Sequence, residues 1–192
     1  GILPCAPTID VTNMYEVGDL RAAASYSSWD NNGNMETYIS KFIDLAAAGS
    51  GSNINLVVLR YADVLLMKAE ADGENAASYE LINQVRRRAF GQDSGTLDSA
   101  IDISAASPGT FSEKLMLERR REFVFEGHRW MDLIRLPDSE ALTIINAHMV
   151  AEYSGVLYGG GVPNVDAHSL IYPIPQTEID VANGVVTQNP GY

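Results

Sequence analysis

Apolar positions recur at helical spacing over much of the chain, beginning with residues 55–71. There the apolar side chains cover most of a helical circumference, which predicts a helix buried on several sides. Asp72 and Gly73 would end this helix, since glycine favours the conformation that follows a helix terminus. Asn75 can cap a second helix running to about Ala89. Two helices joined by so short a turn predict a hairpin of the length of a tetratricopeptide unit.

The second half of the chain contains two more predicted helices and an extended tail. Thr110 and Glu113 have the spacing of a capping box, so a helix is expected over 111–127. A helical segment continues through Trp130 to Leu136, and a fourth helix is expected over 139–150. Pro173 and Pro175 disfavour helix at the residues before them, so Tyr172–Pro175 is predicted to be extended.

The first part of the chain, residues 1–54, is polar and lacks a clear period. Its sequence over 30–34 is a turn cluster, and 36–45 could form either a short strand or a short helix. We therefore expect an irregular, loop-rich segment (1–54) that packs on a helical domain with an extended tail (55–192). The predicted fold class is all-α, with tetratricopeptide-like helical hairpins and long irregular loops.

Composition narrows the classes of function. Hydrophobic residues make up 46% of the chain, which is typical of a globular protein, and no apolar run approaches the ~20 residues of a membrane helix. The net charge of −12 would repel nucleic acid, and it suits an uncharged ligand such as a neutral sugar. Cys5 is the one cysteine, so no disulfide framework is possible. Its surroundings faintly resemble a lipoprotein cleavage site, but we interpret it as an ordinary residue.

Three glutamates spaced four apart form the densest group of charged residues. Glu118, Glu122 and Glu126 fall on one helical stripe and could be the acid and base carboxylates of a helical glycosidase. Arginines three positions away from each glutamate favour a structural role through intrahelical ion pairs. We predict a structural charge network and no catalytic residue. The predicted members of the network are Arg60, Glu118, Arg119, Arg120, Glu122, Glu126 and Arg129.

Neither a metal site nor a cofactor is predicted. His128 lies near Glu126 and Asp132, but the three side chains point in different helical directions, and we expect His128 to pack beside Trp130. The glycines at 159–161 are not followed by the Lys-Ser/Thr pair of a phosphate-binding loop.

Aromatic residues outside the predicted helices are the candidate ligand-binding groups. Sugar rings stack on aromatic side chains, and tyrosine and tryptophan add a polar group. Trp29 is the best candidate because Asp and Asn residues follow it, and Tyr26 and Asn31 complete the predicted site. The aromatic residues concerned are Tyr15, Tyr26, Trp29, Tyr38, Tyr153 and Tyr158.

Four segments in this order resemble the SusD/RagB family. Residues 59–71 resemble its signature helix, and 82–89 resemble the next helix. Residues 118–135 are similar to its most specific motif, and 172–179 and 188–192 are similar to its C-terminal end. The resemblance is strong over 55–136 and 170–192 and weaker elsewhere.

The resemblance implies a non-catalytic, SusD-like lipoprotein of the Bacteroidetes outer membrane that serves polysaccharide utilisation. Members are lipid-anchored at the cell surface, bind glycans or sometimes peptides for nutrient uptake, and lie on a SusC-like TonB-dependent transporter. Since members are several hundred residues long, we expect this chain to lack the N-terminal part with its lipidated cysteine. Two alternatives stay open: a tetratricopeptide-like protein-interaction scaffold and, less favoured, a helical glycoside hydrolase.

Overall fold

The protein is mostly helical. The structure, a computed structural model, describes residues 6–44, 46–47, 52–55, 57–153, 162 and 164–192. Among the described residues a short 3-10 helix, Ala167–Leu170, precedes the last α-helix. The α-helices are α1 (Ile9–Asn13), α2 (Arg21–Ser25), α3 (Tyr61–Asp72), α4 (Ala76–Ala89), α5 (Phe111–Glu122), α6 (His128–Leu133), α7 (Asp138–Tyr153) and α8 (Gln176–Val181).

Several sequence expectations lie outside this description. Cys5, the glycines at 159–161 and Tyr158 belong to the part of the chain that is not described, as does the side chain of Tyr153. No helix among the described residues has the length and apolar character needed to cross a membrane.

The hairpin of α3 and α4 contains most of the hydrophobic core. As predicted, Asn75 caps α4, its side chain accepting a hydrogen bond of 3.0 Å from the Ser78 amide. The first helix starts at Tyr61 instead of residue 55, because Arg60 has an extended backbone. The core joins α3, α4 and α5 with Phe123, which follows α5. Its members are Ala62, Leu66, Ala69, Ile82, Val85, Leu115 and Phe123.

Helix α5 begins as predicted and ends earlier than predicted. Thr110 and Glu113 form a complete capping box at its start. The helix stops at Glu122, whereas the sequence indicated continuation to residue 127. Phe125 and Gly127 both have positive φ, 64° and 83°, which an α-helix cannot contain. The chain therefore turns sharply before α6 begins.

Residues 26–39, expected to be irregular or undecided, form a β-hairpin. Strand β1 (Tyr26–Asn31) pairs antiparallel with β2 (Asn34–Ile39). The predicted turn cluster supplies its connection: Asn32 and Gly33 both have positive φ, 54° and 89°, as a two-residue hairpin turn requires. The Asp30 side chain accepts a hydrogen bond of 2.6 Å from the Gly33 amide and fixes this turn.

The chain divides into two compact units, 1–129 and 130–192, a division that differs from the expected segments 1–54 and 55–192. In the second unit α7 extends over Asp138–Tyr153, slightly beyond the predicted 139–150. The tail has extended backbone at Ile171, and the backbone N–H and carbonyl of Ile174 are bound by a side chain. The Gln188 amide group accepts from the Ile174 N–H at 2.8 Å and donates to its carbonyl at 2.9 Å.

Candidate functional site

The glutamates of α5 lie in a buried network of ion pairs, and their partners come from distant parts of the chain. Glu122 accepts hydrogen bonds from three guanidinium groups: Arg60, Arg88, and Arg21 at 3.1 Å. Only 2% of its side chain is exposed. Glu118, equally buried, accepts from Arg21 at 2.7 Å and from Arg86 at 3.0 Å. The two carboxylates are thus held between α2, α4 and α5.

The network continues beyond α5. Arg60 donates to both oxygens of Glu126 at 2.9 Å, and Lys41 lies 2.6 Å from the same carboxylate. The Arg60 guanidinium also stacks over the Phe123 ring at 4.5 Å. Arg60 therefore joins the start of α3 to the turn that follows α5.

The remaining predicted members of the network are also engaged. Arg119 donates to Asp63 on α3 at 2.8 Å, with both side chains buried. Arg120 is paired with Asp10, and Arg129 also takes part in interactions.

Among the intrahelical pairs expected from the spacing, Arg121 and Glu118 lie 4.0 Å apart. Sequence reasoning missed the strongest partners of the glutamates, among them Arg21, Lys41 and Arg88. Arg86, in the last turn of α4, is buried and pairs with Glu118 at 3.0 Å.

These contacts decide the protonation of Glu122 and Glu126. Burial alone would raise the pKa of Glu122, but hydrogen bonds from Arg88 and Arg60 outweigh it and lower the pKa to about 2. Burial would also raise the pKa of Glu126. Hydrogen bonds from Arg60 and Lys41 outweigh this effect, so the pKa of Glu126 is lowered. A glycosidase general acid needs the opposite, a raised pKa that keeps the proton at working pH. The geometry of both carboxylates therefore fits ion pairing and not proton donation.

His128 stacks on the Phe123 ring, with centroids 4.6 Å apart and planes 24° apart. The sequence had predicted packing beside Trp130. Phe123 is thus covered by His128 as well as by guanidinium groups, which places His128 in the packing around the turn after α5.

The β-hairpin carries the candidate ligand-binding residues on one face. Successive side chains of a strand point to opposite faces, so Trp29 and Asn31 share a face. Trp29 pairs directly with Glu36, and its ring lies 5.1 Å from that of Tyr38, tilted by 40°. Asn31 donates to the Glu36 carboxylate at 2.6 Å. We call Trp29, Asn31, Glu36 and Tyr38 the Trp29 face.

Tyr26, predicted to act with Trp29, belongs to the opposite face of the hairpin. Its hydroxyl donates to the Thr12 carbonyl at 3.3 Å, and its ring lies 6.3 Å from that of Tyr15. The Tyr15 hydroxyl donates in turn to the Arg121 carbonyl at 3.2 Å. These two tyrosines attach the hairpin to the helices, so Tyr38 takes the place beside Trp29 that Tyr26 was expected to fill. The missing signal was the strand itself, because residues 26–31 had not been predicted as a strand and residues three apart on a strand point to opposite faces.

Fold and site together define a mostly helical protein with a buried ion-pair framework and an aromatic β-hairpin. The SusD family model matches residues 10–192, and the chain belongs to the SusD family.

Curated relatives share this sequence over most or part of the chain. SusD-like protein P2 of Formosa agariphila is 26% identical over 97% of this chain and 36% of its own length. SusD-like protein P38 of the same organism is 36% identical over 50% of this chain and 20% of its own length. The chain therefore spans about a third or less of these relatives.

Solved structures show the same fold. A SusD homolog from Bacteroides thetaiotaomicron is 26% identical with a TM-score of 0.66, covering 92% of this chain and 41% of that one. NanU of B. fragilis is 25% identical with a TM-score of 0.59, over 96% of this chain and 39% of that one. The surface glycan-binding protein A of B. thetaiotaomicron is 23% identical with a TM-score of 0.61, over 97% of this chain and 41% of that one.

Proposed function

We propose that this protein binds a glycan, without catalysis, as part of nutrient uptake at the cell surface. The observation that carries the proposal is the Trp29 face on a member of the SusD family. One face of an antiparallel hairpin brings two aromatic rings together, with an amide and a carboxylate beside them. Sugars offer C–H faces to the rings and hydroxyl groups to the polar side chains.

The expected affinity is modest. Stacking on one ring contributes on the order of 1 kcal/mol, by analogy with pairs of aromatic side chains. Two rings and a few hydrogen bonds at a half-buried surface fit a site that holds an oligosaccharide by several small contacts. The low pKa of Glu122 argues against a general-acid role for this carboxylate.

The binding test compares the two faces of the hairpin. A glycan array first selects a ligand for the full-length protein, and calorimetry then measures its affinity for Trp29→Ala and Met35→Ala. Met35 is 68% exposed and pairs with Asp30 on the opposite face of the same hairpin, so it is a matched control. We expect Trp29→Ala to lose about fivefold in affinity, the equivalent of about 1 kcal/mol, and Met35→Ala to bind as the wild type does. Equal affinities in the two variants would place the ligand elsewhere.

The partner proposed for the full-length protein is a SusC-like TonB-dependent transporter in the outer membrane, with a lipid anchor holding the protein at the cell surface. Family membership supports this proposal, which is analogy and not a mechanism. Affinity purification of the tagged protein from outer membranes should recover the transporter. Recovery of the native protein from the cytosol without a transporter would contradict it.

The tetratricopeptide-like scaffold is the second candidate, and one observation favours it: α3 and α4 pack together across a three-residue connection, as the helices of such a unit do. A scaffold would bind a polypeptide, and Trp29→Ala would leave that binding unchanged. The third candidate, a helical glycoside hydrolase, requires turnover of a bound glycan and its loss in Glu118→Gln or Glu122→Gln.

A further inference from the structure

The Trp29 face carries negative charge and lacks a cation of its own. Residues 22–40 contain no lysine or arginine, whereas Asp30 and Glu36 lie in the hairpin. The cations that flank this stretch are engaged elsewhere: Arg21 pairs with Asp19 and α5, and Lys41 with Glu126. The net charge of the chain, −12, adds to the negative field.

The Glu36 carboxylate also has an oxygen available to accept a hydrogen bond from a ligand. Glu36 uses Oε1 to accept from Asn31 at 2.6 Å, while Oε2 accepts from no residue in the described part of the chain. A carboxylate only accepts hydrogen bonds, so a ligand must bring donors to it. Sugar hydroxyls are donors. Sulfate and carboxylate groups offer acceptors alone and would meet Glu36 with like charge and without a hydrogen bond.

We infer that the Trp29 face selects an uncharged glycan, with a hydroxyl group donating to Glu36, over sulfated or uronic-acid glycans of the same backbone. This inference rests on the proposed function and adds the class of ligand. Two like unit charges about 6 Å apart in water repel enough to weaken binding about threefold. Sulfate and carboxylate groups also cannot donate a hydrogen bond to Glu36, which further increases the preference for the uncharged glycan.

The experiment uses pairs of oligosaccharides with the same backbone, one member neutral and the other carrying anionic groups. Suitable pairs are methyl-esterified and de-esterified oligogalacturonides, desulfated and sulfated carrageenan oligosaccharides, and laminarin and carboxymethyl-laminarin oligosaccharides. Calorimetry at low salt measures both members of each pair on the wild type, Trp29→Ala, Glu36→Gln and Glu178→Gln. Glu178 is exposed and belongs to the other compact unit, so its variant removes the same net charge without changing the hairpin sequence.

We expect the wild type to bind the neutral member of a pair at least threefold more tightly than the charged member. Glu36→Gln should reduce this ratio of affinities about threefold, and Glu178→Gln should leave it unchanged. A charged member that binds as tightly as its neutral partner would overturn the inference. So would equal effects of the two glutamine variants, because net charge would then explain the selectivity. If Trp29→Ala binds the neutral member as tightly as the wild type does, the proposed site itself is wrong.

Discussion

Glu122 is the residue whose replacement tests the ion-pair framework most directly. Glutamine has nearly the same shape, but it carries no charge and presents N–H donors to guanidinium groups that also donate. Arg21 and Arg60 would lose a charged acceptor in a poorly hydrated place, since their side chains are 11% and 25% exposed. Arg88, at 52% exposed, can turn towards water. The cost therefore falls on the two less exposed arginines.

The lowered pKa sets the size of the effect. The difference between the ordinary carboxyl pKa of 4.5 and the value of about 2 corresponds to about 3 kcal/mol of stability at neutral pH. The usual cost of removing one partner from a buried pair, about 3–5 kcal/mol, agrees with it. Because the folded-state pKa is depressed, this contribution is present above pH 4.5 and is lost as the pH falls through about 2.

Urea unfolding of the wild type, Glu122→Gln and the exposed control Glu178→Gln measures the effect at two pH values. We expect Glu122→Gln to lower the free energy of unfolding by about 3 kcal/mol at pH 7 and by about half as much at pH 3. The control should change it by less than about 0.5 kcal/mol. A loss that is the same at pH 7 and pH 3, or no larger than that of the control, would refute the electrostatic explanation.

Three further changes test the packing. Leu66→Ala removes a fully buried side chain from the core and should lower the free energy of unfolding by about 2–5 kcal/mol, measured by urea unfolding. Thr110→Ala should cost about 1 kcal/mol through loss of the α5 cap, and Thr110→Ser should restore most of it. Gly191→Ala would place a methyl group 2.5 Å from the His168 Cβ at a positive φ, so proteolysis should release the C-terminal tail faster. If the tail of the variant resists proteolysis as well as the wild-type tail does, the close contact with His168 is relieved without a loss of stability.

Much of the helical framework follows from the sequence alone. The periodicity of apolar residues and the caps at Asn75 and Thr110 predicted α4 and the start of α5 correctly. These signals act within one element, between residues three or four positions apart, so they can be read before anything about packing is known. The turn at Asn32–Gly33 was likewise visible, because its residue types favour positive φ.

The partners of charged and aromatic side chains were decided by the tertiary structure. Glu122 meets Arg88, Arg60 and Arg21, which are 34, 62 and 101 positions away along the chain. No local spacing contains that information, since it depends on how helices pack.

The composition of the Trp29 face was decided in the same way. Residues three apart on one strand lie on opposite faces, so Tyr26 is separated from Trp29 once 26–31 forms a strand. The observed pairing of the two strands then brings Tyr38 beside Trp29. Local sequence signals determined α4, the start of α5 and the turn at Asn32–Gly33. Packing and register determined which residues form the site, because these relations join segments that no local pattern connects.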